Sequence, residues 1–295
     1  MSVPTIHSER HNADLFLGKT PATEPRFTIY EDDIRPKLKA KGLLPPTPAM
    51  FGHGHDFPQG AWLMLGNGPD DTVAPGFEGV GDCAWADPAH DEMEAASDAK
   101  RPIPRFTGLV VVEQYAEYEG WTGGDLASLL AFLEANDNGS NMQDVIEIRQ
   151  TKGLRDADGK VYKIGKAVSL KEPGNAQLVW ELAWLTENVD IGITVTEANQ
   201  QQFGERAQPT WDYVQGSPEL GGHAVPVMGK LGLVSWAEDV YWTPNFLSHQ
   251  ADEAHSYLDN ERYNARTGET ADGFTEQDEE KYLTLEAEAK LAAAS

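Results

Sequence analysis

The spacing of apolar residues predicts three helices in the middle of the chain. They are predicted over residues 126–133, 140–152 and 176–185. Asp125 is a suitable N-cap for the first helix and Ser140 for the second, which ends at Lys152-Gly153. Farther on, Thr243 followed by Pro244 predicts the start of a helix over residues 245–258.

Short runs of β-branched and aromatic residues predict the strands. These runs cover residues 61–65, 108–112, 190–196, 221–228 and 233–236. The last two runs are separated by residues 229–232, whose glycines predict a tight turn between antiparallel strands. We therefore expect helices and antiparallel strands in one α+β domain.

Composition divides the chain into three parts. Residues 1–60 are rich in proline and hold seven acidic and seven basic residues, which is typical of an extended arm. Residues 61–260 carry the periodic segments and form the predicted globular domain. Residues 261–295 form a predicted acidic helical tail with a helix from Thr275 to about residue 294, and residues 251–295 together have a net charge of −8.

The overall charge and the cysteine count exclude several classes of function. The chain has 295 residues, 40% of them hydrophobic, and a net charge of −25, so nucleic acid and anionic membrane are not expected as partners. A single cysteine excludes a disulfide framework. With no signal-peptide pattern at the N-terminus, we expect a cytoplasmic protein that a larger assembly could incorporate.

The cysteine lies where a helix is expected to begin. Glycines and Asp82 precede Cys83, so its thiol is predicted to face the unpaired N–H groups of a helix start, which favours the thiolate. A lone cysteine is more often an inert packing residue. A nucleophilic thiol also needs a base, and His223 is the best placed histidine because Gly221-Gly222 allow a close backbone approach.

A catalytic imidazole also needs a residue that orients it. If the predicted turn pairs Met228 with Leu233, Glu238 lies opposite His223, and Asp239 is reached by a shift of one residue. Both side chains are carboxylates, so the sequence leaves open which of the two orients the histidine.

The order of these motifs resembles the papain-like cysteine peptidase fold, and more narrowly the papain-like proteins of actinobacterial tailed bacteriophages. The resemblance covers about residues 60–260. Its matching segments are residues 81–90, 136–139, 192–195, 221–229, 235–237, 242–246 and 251–254. The resemblance implies a helical subdomain that carries the cysteine and an antiparallel β subdomain that carries the histidine. It also implies that Cys83 is the nucleophile and His223 the base.

The chain departs from the papain-like pattern at two functional positions. Val234 stands where the family has an asparagine before Ser-Trp, and Phe77 stands where the family has the glutamine of its oxyanion hole. Asn67 is a candidate replacement donor. Pro88 is expected to kink or restart the helix. Since a missing oxyanion donor lowers rates by ~10²–10³, a non-catalytic phage virion or assembly protein is the alternative hypothesis.

Other candidate chemistry is weaker. His53, His55 and Asp56 could bind a metal, but such spacing in a glycine-rich loop is more often incidental, so neither metal nor organic cofactor is expected. His90 is expected to pack or to hydrogen-bond, and residues 155–159 to form a simple turn instead of a calcium loop. The leading hypothesis is a cysteine hydrolase acting on peptide or amide bonds. Its expected partner is a peptide or protein substrate, and the alternative adds other phage structural proteins.

Overall fold

The structure is a computed structural model of the chain. It describes residues 17–23, 26, 36, 39–40, 42, 62–186, 188–204, 209–227, 232–270, 275 and 277–278. The candidate metal residues His53, His55 and Asp56 and most of the predicted helix after Thr275 lie outside these residues. At the start of that helix, Thr275 and Asp278 exchange the two side-chain-to-backbone bonds of a capping box.

The elements follow one another as a helical half, then a β half. The helical half comprises α1 (Cys83–Asp98), α2 (Gly108–Glu119), α3 (Leu126–Asn136) and α4 (Met142–Thr151). The rest of the chain adds β1 (Leu154–Arg155), β2 (Val161–Tyr162), β3 (Ala167–Ser169), α5 (Ala176–Thr186), β4 (Asp190–Thr196), α6 (Glu197–Gly204), β5 (Thr210–Trp211), β6 (Glu219–Pro226), β7 (Gly232–Ser235), β8 (Glu238–Trp242), α7 (Pro244–Gln250), β9 (Ala251–Tyr257) and a 3₁₀ turn (Asn260–Arg262).

Helix α1 is the central element of the helical half. Its residues from Cys83 to Ala96 are all buried, because α2 and α4 pack beside it and β6 covers its start. Pro88 lies inside α1, and the helix continues through it without the predicted restart. Within the described part of the chain, no helix is long and apolar enough to cross a membrane.

Two predicted strands are wrong. Residues 108–112 begin α2, because the Thr107 side chain accepts a hydrogen bond from the Val110 N–H at the helix start and Gly120 closes the helix with φ 105°. The described part of segment 61–65 is also no strand, and Leu65 lies in a turn with φ 54°.

The predicted helix caps are right for α3 and wrong for α4. The Asp125 side chain accepts the Ser128 N–H at the start of α3, as expected. Helix α4 is capped by Asn141, which accepts the Gln143 N–H. The Ser140 hydroxyl instead accepts the Trp85 indole N–H at 2.9 Å.

The β half contains two sheets. The larger has the strand order β3-β9-β4-β6 with antiparallel pairing throughout, and the smaller has the order β5-β8-β7. The helix predicted over residues 245–258 is confirmed as far as Gln250, with Thr243 as its N-cap, and is wrong beyond it. Strand β9 continues from Ala251 between β3 and β4. Burial of Ala254 and Tyr257 in the sheet outweighs the helical spacing of the segment.

The hairpin after β6 has a different register from the predicted one. Strand β7 pairs with β8 across a two-residue turn, Trp236-Ala237, in which both residues have positive φ (48° and 62°). Ser235 therefore lies opposite Glu238. The predicted pairing of Met228 with Leu233 is off by one residue, since Val227 forms the antiparallel bridge with Leu233, and residues 228–231, which hold most of the predicted turn, lie outside the described residues. The placement of Glu238 opposite His223 is wrong, because the chain reverses at Trp236-Ala237 before it reaches Glu238.

Candidate active site

The candidate nucleophile lies where the two halves meet. Cys83 is the first residue of α1 and is only 1% exposed. Its sulfur accepts the backbone N–H of Ala224 from β6 at 3.4 Å. The predicted helix start at Cys83 is confirmed, and the N–H groups of Trp85 and Ala86 in the first turn donate to the Asp82 carbonyl.

His223 approaches from the β half, with its imidazole held on two sides. It lies on β6 opposite Ile193 of β4. Its Nε2 is 2.8 Å from the Ser235 hydroxyl, and its ring stacks on Trp236 with centroids 4.5 Å apart. The other ring nitrogen, Nδ1, is buried and has no hydrogen-bond partner among the residues that the structure describes. That nitrogen is the one left for proton transfer.

Neither predicted carboxylate hydrogen-bonds the imidazole. The Glu238 side chain is exposed, and Asp239 accepts the Trp62 indole N–H at 2.8 Å. The hydrogen bond to Nε2 is made by Ser235, a residue that sequence reasoning missed. The available signal is the Ser235-Trp236 pair, since the serine bonds Nε2 and the tryptophan stacks on the ring.

Cys83 and His223 line one small pocket together with Asn67. The free space in this pocket is about 10 Å³, at the lower limit of what one water molecule needs. The lining residues are Met64, Asn67, Cys83, Ala86, Asp87, His90, His223, Ala224, Pro226, Val234, Ser235 and Trp236. Both side chains therefore line one pocket, which has little free space.

Asn67, the candidate oxyanion donor of the sequence, lines the same pocket as Cys83. Its side chain is buried, and its amide N–H donates to the Val80 carbonyl at 3.3 Å, while the Val80 N–H donates to the Gly66 carbonyl. These bonds hold Asn67 beside Cys83 in the pocket. Phe77, by contrast, packs into the apolar core of the helical half and supplies no donor.

Both reacting groups are neutral in this closed state. Burial raises the pKa of the Cys83 thiol to about 12, although the N–H groups of Ala224 and Gly18 oppose the shift. Burial also lowers the pKa of His223 to about 3. The carboxyls of Asp82 and Asp87 are buried close by, and burial raises the pKa of each well above its ordinary value. Burial therefore disfavours a thiolate–imidazolium pair in the conformation described.

A segment of the predicted N-terminal arm covers the thiol. Leu17–Thr20, here called the strap, runs between the two halves: Lys19 donates its N–H to the Gly222 carbonyl, and Thr20 donates to the Ser140 carbonyl. The Ser140 N–H returns a bond to the Gly18 carbonyl at 2.7 Å. A Cβ on Gly18 would lie 1.7 Å from the Gly81 carbonyl oxygen, so only glycine fits here.

The remaining sequence candidates are structural in the described conformation. The Nε2 of His90 contacts the Leu63 carbonyl at 2.7 Å, and its ring meets Trp62 edge to face. In residues 155–159, one oxygen of Asp156 accepts the N–H groups of Asp158 and Lys160. These bonds belong to a turn.

These features together define the fold class: it is an α+β papain-like fold. The crystal structure of xylellain, a cysteine protease from Xylella fastidiosa, superposes with a TM-score of 0.52 at 13% identity, covering 83% of this chain and 97% of that one. Procathepsin B S9 from Trypanosoma congolense matches with a TM-score of 0.45 at 9% identity, covering 83% of this chain and 87% of that one. A structure reported for the mite allergens Blo t 1 and Der p 1 gives 0.46 at 10% identity, with coverages of 82% and 75%.

Comparison of the amino-acid sequence with known families and proteins does not identify a relative. No protein-family model matches the chain, and neither does any curated protein sequence. The fold therefore rests on the architecture and on the likeness to xylellain.

Proposed function

We propose that the chain is a cysteine hydrolase of papain-like type that cleaves peptide or amide bonds. The observation that carries this proposal is the pocket between the halves, where the thiol of Cys83 and the free Nδ1 of His223 are buried together. We assign the orientation of the imidazole to Ser235, which already bonds Nε2. Glu238 and Asp239, the carboxylates suggested by the sequence, would have to rearrange to take that role.

The proposed reaction has two stages. His223 Nδ1 accepts the thiol proton as sulfur attacks the carbonyl carbon, and the C–N bond then breaks as the imidazolium gives that proton to the departing amine. Water, deprotonated by the same nitrogen, attacks the thioester and releases the acid and the thiol. The Cys83 N–H and the Asn67 amide stabilise the oxyanion in both stages.

Displacement of the strap is the step that prepares the site. In the closed conformation, burial keeps the thiol and the imidazole neutral. Departure of Leu17–Thr20 admits water to the sulfur, which removes the main cause of the raised thiol pKa. The proton can then move from sulfur to Nδ1 without the cost of burying two charges.

The test is the rate of Cys83 alkylation by iodoacetamide between pH 5 and 9, followed by intact mass. The double variant Gly18→Ala/Lys19→Met adds a clashing Cβ and removes the lysine, so it should release the strap and react at least about tenfold faster than the wild type near pH 7. Adding His223→Ala should abolish the reactivity below pH 7. Lys160→Met, which removes an exposed cation paired with Glu261, is the matched control.

A thiol that stays slow after strap release, or a pH profile unaffected by His223→Ala, would refute the catalytic pair. If the profile is as expected, hydrolysis of a peptide library by the strap-released variant is the direct assay.

The second candidate is a non-catalytic virion or assembly protein of a tailed phage. It is favoured by the absence of the family's asparagine and glutamine and by the strap that closes the thiol. The phage resemblance, the cytoplasmic location and the absence of nucleic-acid partners stay predictions. This candidate would be favoured if strap release does not speed alkylation and His223→Ala does not change its pH profile.

A further inference from the structure

We infer that the pocket holding Lys19 is a substrate subsite that selects a lysine or arginine side chain. The inference rests on the proposed function and specifies the class of peptide on which the hydrolase acts. It starts from the strap, since Leu17–Thr20 is an extended peptide held by backbone bonds in the groove beside the thiol. The side chain of the strap that the groove binds indicates which substrate side chain it would bind.

The ammonium group of Lys19 is fully buried between two carboxylates. Its Nζ lies 2.9 Å from Asp252 and 2.9 Å from Glu253. Burial alone would lower the pKa of Lys19, but the two carboxylates raise it above its ordinary value. An apolar side chain here would remove the ammonium group from between the two carboxylates, of which Glu253 is buried, so the pocket favours a cation.

The acidic wall is held in place by a chain of hydrogen bonds. His255 Nε2 lies 2.8 Å from Glu253, and its Nδ1 lies 2.8 Å from the Ser169 hydroxyl on the neighbouring strand. Burial would raise the pKa of Glu253, but the bonds to His255 and Lys19 lower it below its ordinary value. The hydrogen bond with His255 fixes the position of the Glu253 carboxyl group independently of Lys19.

A glycine in the sheet makes room for the lysine stem. A Cβ on Gly192 would lie 2.1 Å from Lys19 Cε and 2.6 Å from Glu253 Cγ. A residue with a side chain at this point of β4 would block the channel. Asp252 and Glu253 also line an adjoining cavity of about 290 Å³, which leaves space for the larger guanidinium of arginine.

The position of this pocket relative to the thiol makes it a subsite. Gly18 lies against Gly81, two residues before Cys83, and its N–H faces the sulfur. Lys19 is the next residue, and its backbone pairs with Gly222, next to His223. A peptide bound in the same groove therefore places a side chain in the acidic pocket one residue from the point nearest the nucleophile.

The experiment measures binding, so it does not depend on catalysis. A fluorescently labelled peptide of residues 15–21, Leu-Phe-Leu-Gly-Lys-Thr-Pro, contains the strap sequence. Its binding to the strap-released variant Gly18→Ala/Lys19→Met is measured by fluorescence polarisation. A second peptide carries norleucine, an apolar side chain of similar length, in place of lysine. We expect the lysine peptide to bind about tenfold tighter or more, as is typical of a close buried charge pair.

Two further variants test the pocket itself. Glu253→Gln should bring the two Kd values within about twofold of each other, and Gly192→Ala should weaken the lysine peptide by filling the channel. Glu117→Gln, which neutralises an exposed carboxylate paired with Arg155, is the matched control and should change neither. Melting temperatures of all variants verify folding, and Asp252→Asn replaces Glu253→Gln if that variant does not fold.

Equal binding of the two peptides, or lysine preference that survives the pocket variants, would overturn the subsite. Lysine-dependent binding without any hydrolysis would support the subsite while removing the hydrolase proposal. Hydrolysis of peptides with and without a basic residue at equal rates would support the hydrolase proposal and overturn the subsite.

Discussion

At the residue scale, the site depends on a serine that takes the place of a side-chain amide or carboxylate. Ser235 contacts His223 Nε2 at 2.8 Å, and Trp236 stacks on the same ring. When Nε2 carries the ring proton, the Ser235 hydroxyl accepts a hydrogen bond from it, and Nδ1 is then the unprotonated nitrogen that the proposed mechanism uses as the base. Trp236 shields this bond from water, which strengthens it. The pair thereby fixes the direction of the imidazole.

Ser235→Ala should therefore lower the His223-dependent alkylation rate of the strap-released variant by about 10- to 100-fold. Removal of the hydroxyl leaves Nε2 buried without a partner and takes away one of the two contacts that direct the ring. The pH profile of alkylation is the measurement, because a purely structural role would change stability without changing its shape. Ser248→Ala, which removes an exposed hydroxyl on α7, should leave the profile unaltered.

At the element scale, the local pattern of residues decided which parts could be predicted. Cys83 at a helix start and His223 on a strand follow from glycines and apolar runs, which are local signals. The Ser235–His223 bond depends on where the hairpin turns. That turn uses Trp236 and Ala237 at positive φ, where glycine or asparagine is the usual signal.

The lack of a local signal for contacts between distant segments also explains the errors in secondary structure. Strand β9 has helix-compatible spacing and becomes a strand because it pairs on both edges with β3 and β4. The strap was assigned to an extended arm because its contacts are with residues more than a hundred positions away, such as Ser140 and Gly222. Contacts between distant segments have no local signature in one sequence.

Helix α1 carries a buried histidine whose titration should be visible in stability. Burial lowers the pKa of His90 to about 4, from an ordinary value near 6.5. A depressed folded-state pKa contributes stability that is present above pH 6.5 and is lost as the pH falls toward 4. Between pH 7 and pH 5 this loss amounts to about 2 kcal/mol.

We expect His90→Gln to remove this pH-dependent part of the free energy of unfolding. The glutamine amide can still donate to the Leu63 carbonyl that His90 contacts. Urea unfolding of both proteins at pH 7 and pH 5 gives the free energy of unfolding, and the difference between the proteins should change by about 2 kcal/mol in favour of the variant at pH 5. A difference that is the same at both pH values would contradict it.

At the scale of the whole molecule, buried ion pairs join the helical half to the β half behind the site. Arg149 of α4 is fully buried and lies 2.8 Å from Glu92 of α1 and 3.8 Å from Asp190 of β4. Arg262 pairs with Asp91 of α1 at 2.6 Å. The strap joins the same two halves on the side of the thiol. Opening of the groove therefore leaves the halves held together by this second set of contacts.

Arg149→Met should destabilise the fold by about 3 kcal/mol, because it leaves the Glu92 carboxyl buried without its cation. Burial already raises the pKa of Glu92, and Arg149 opposes that rise. Without the arginine, Glu92 keeps its proton in the folded state to higher pH. A raised folded-state pKa costs stability as the pH rises, so the loss should be larger at pH 8 than at pH 5.

Urea unfolding of wild type and variant at the two pH values measures this loss. Arg155→Met, which removes an exposed arginine paired with Glu117, is the matched control and should cost less than about 1 kcal/mol at either pH. If Arg149→Met costs no more than Arg155→Met, the buried pairs do not hold the halves together. The strap would then be a principal link between them, and its displacement would separate the halves as well as uncover the thiol.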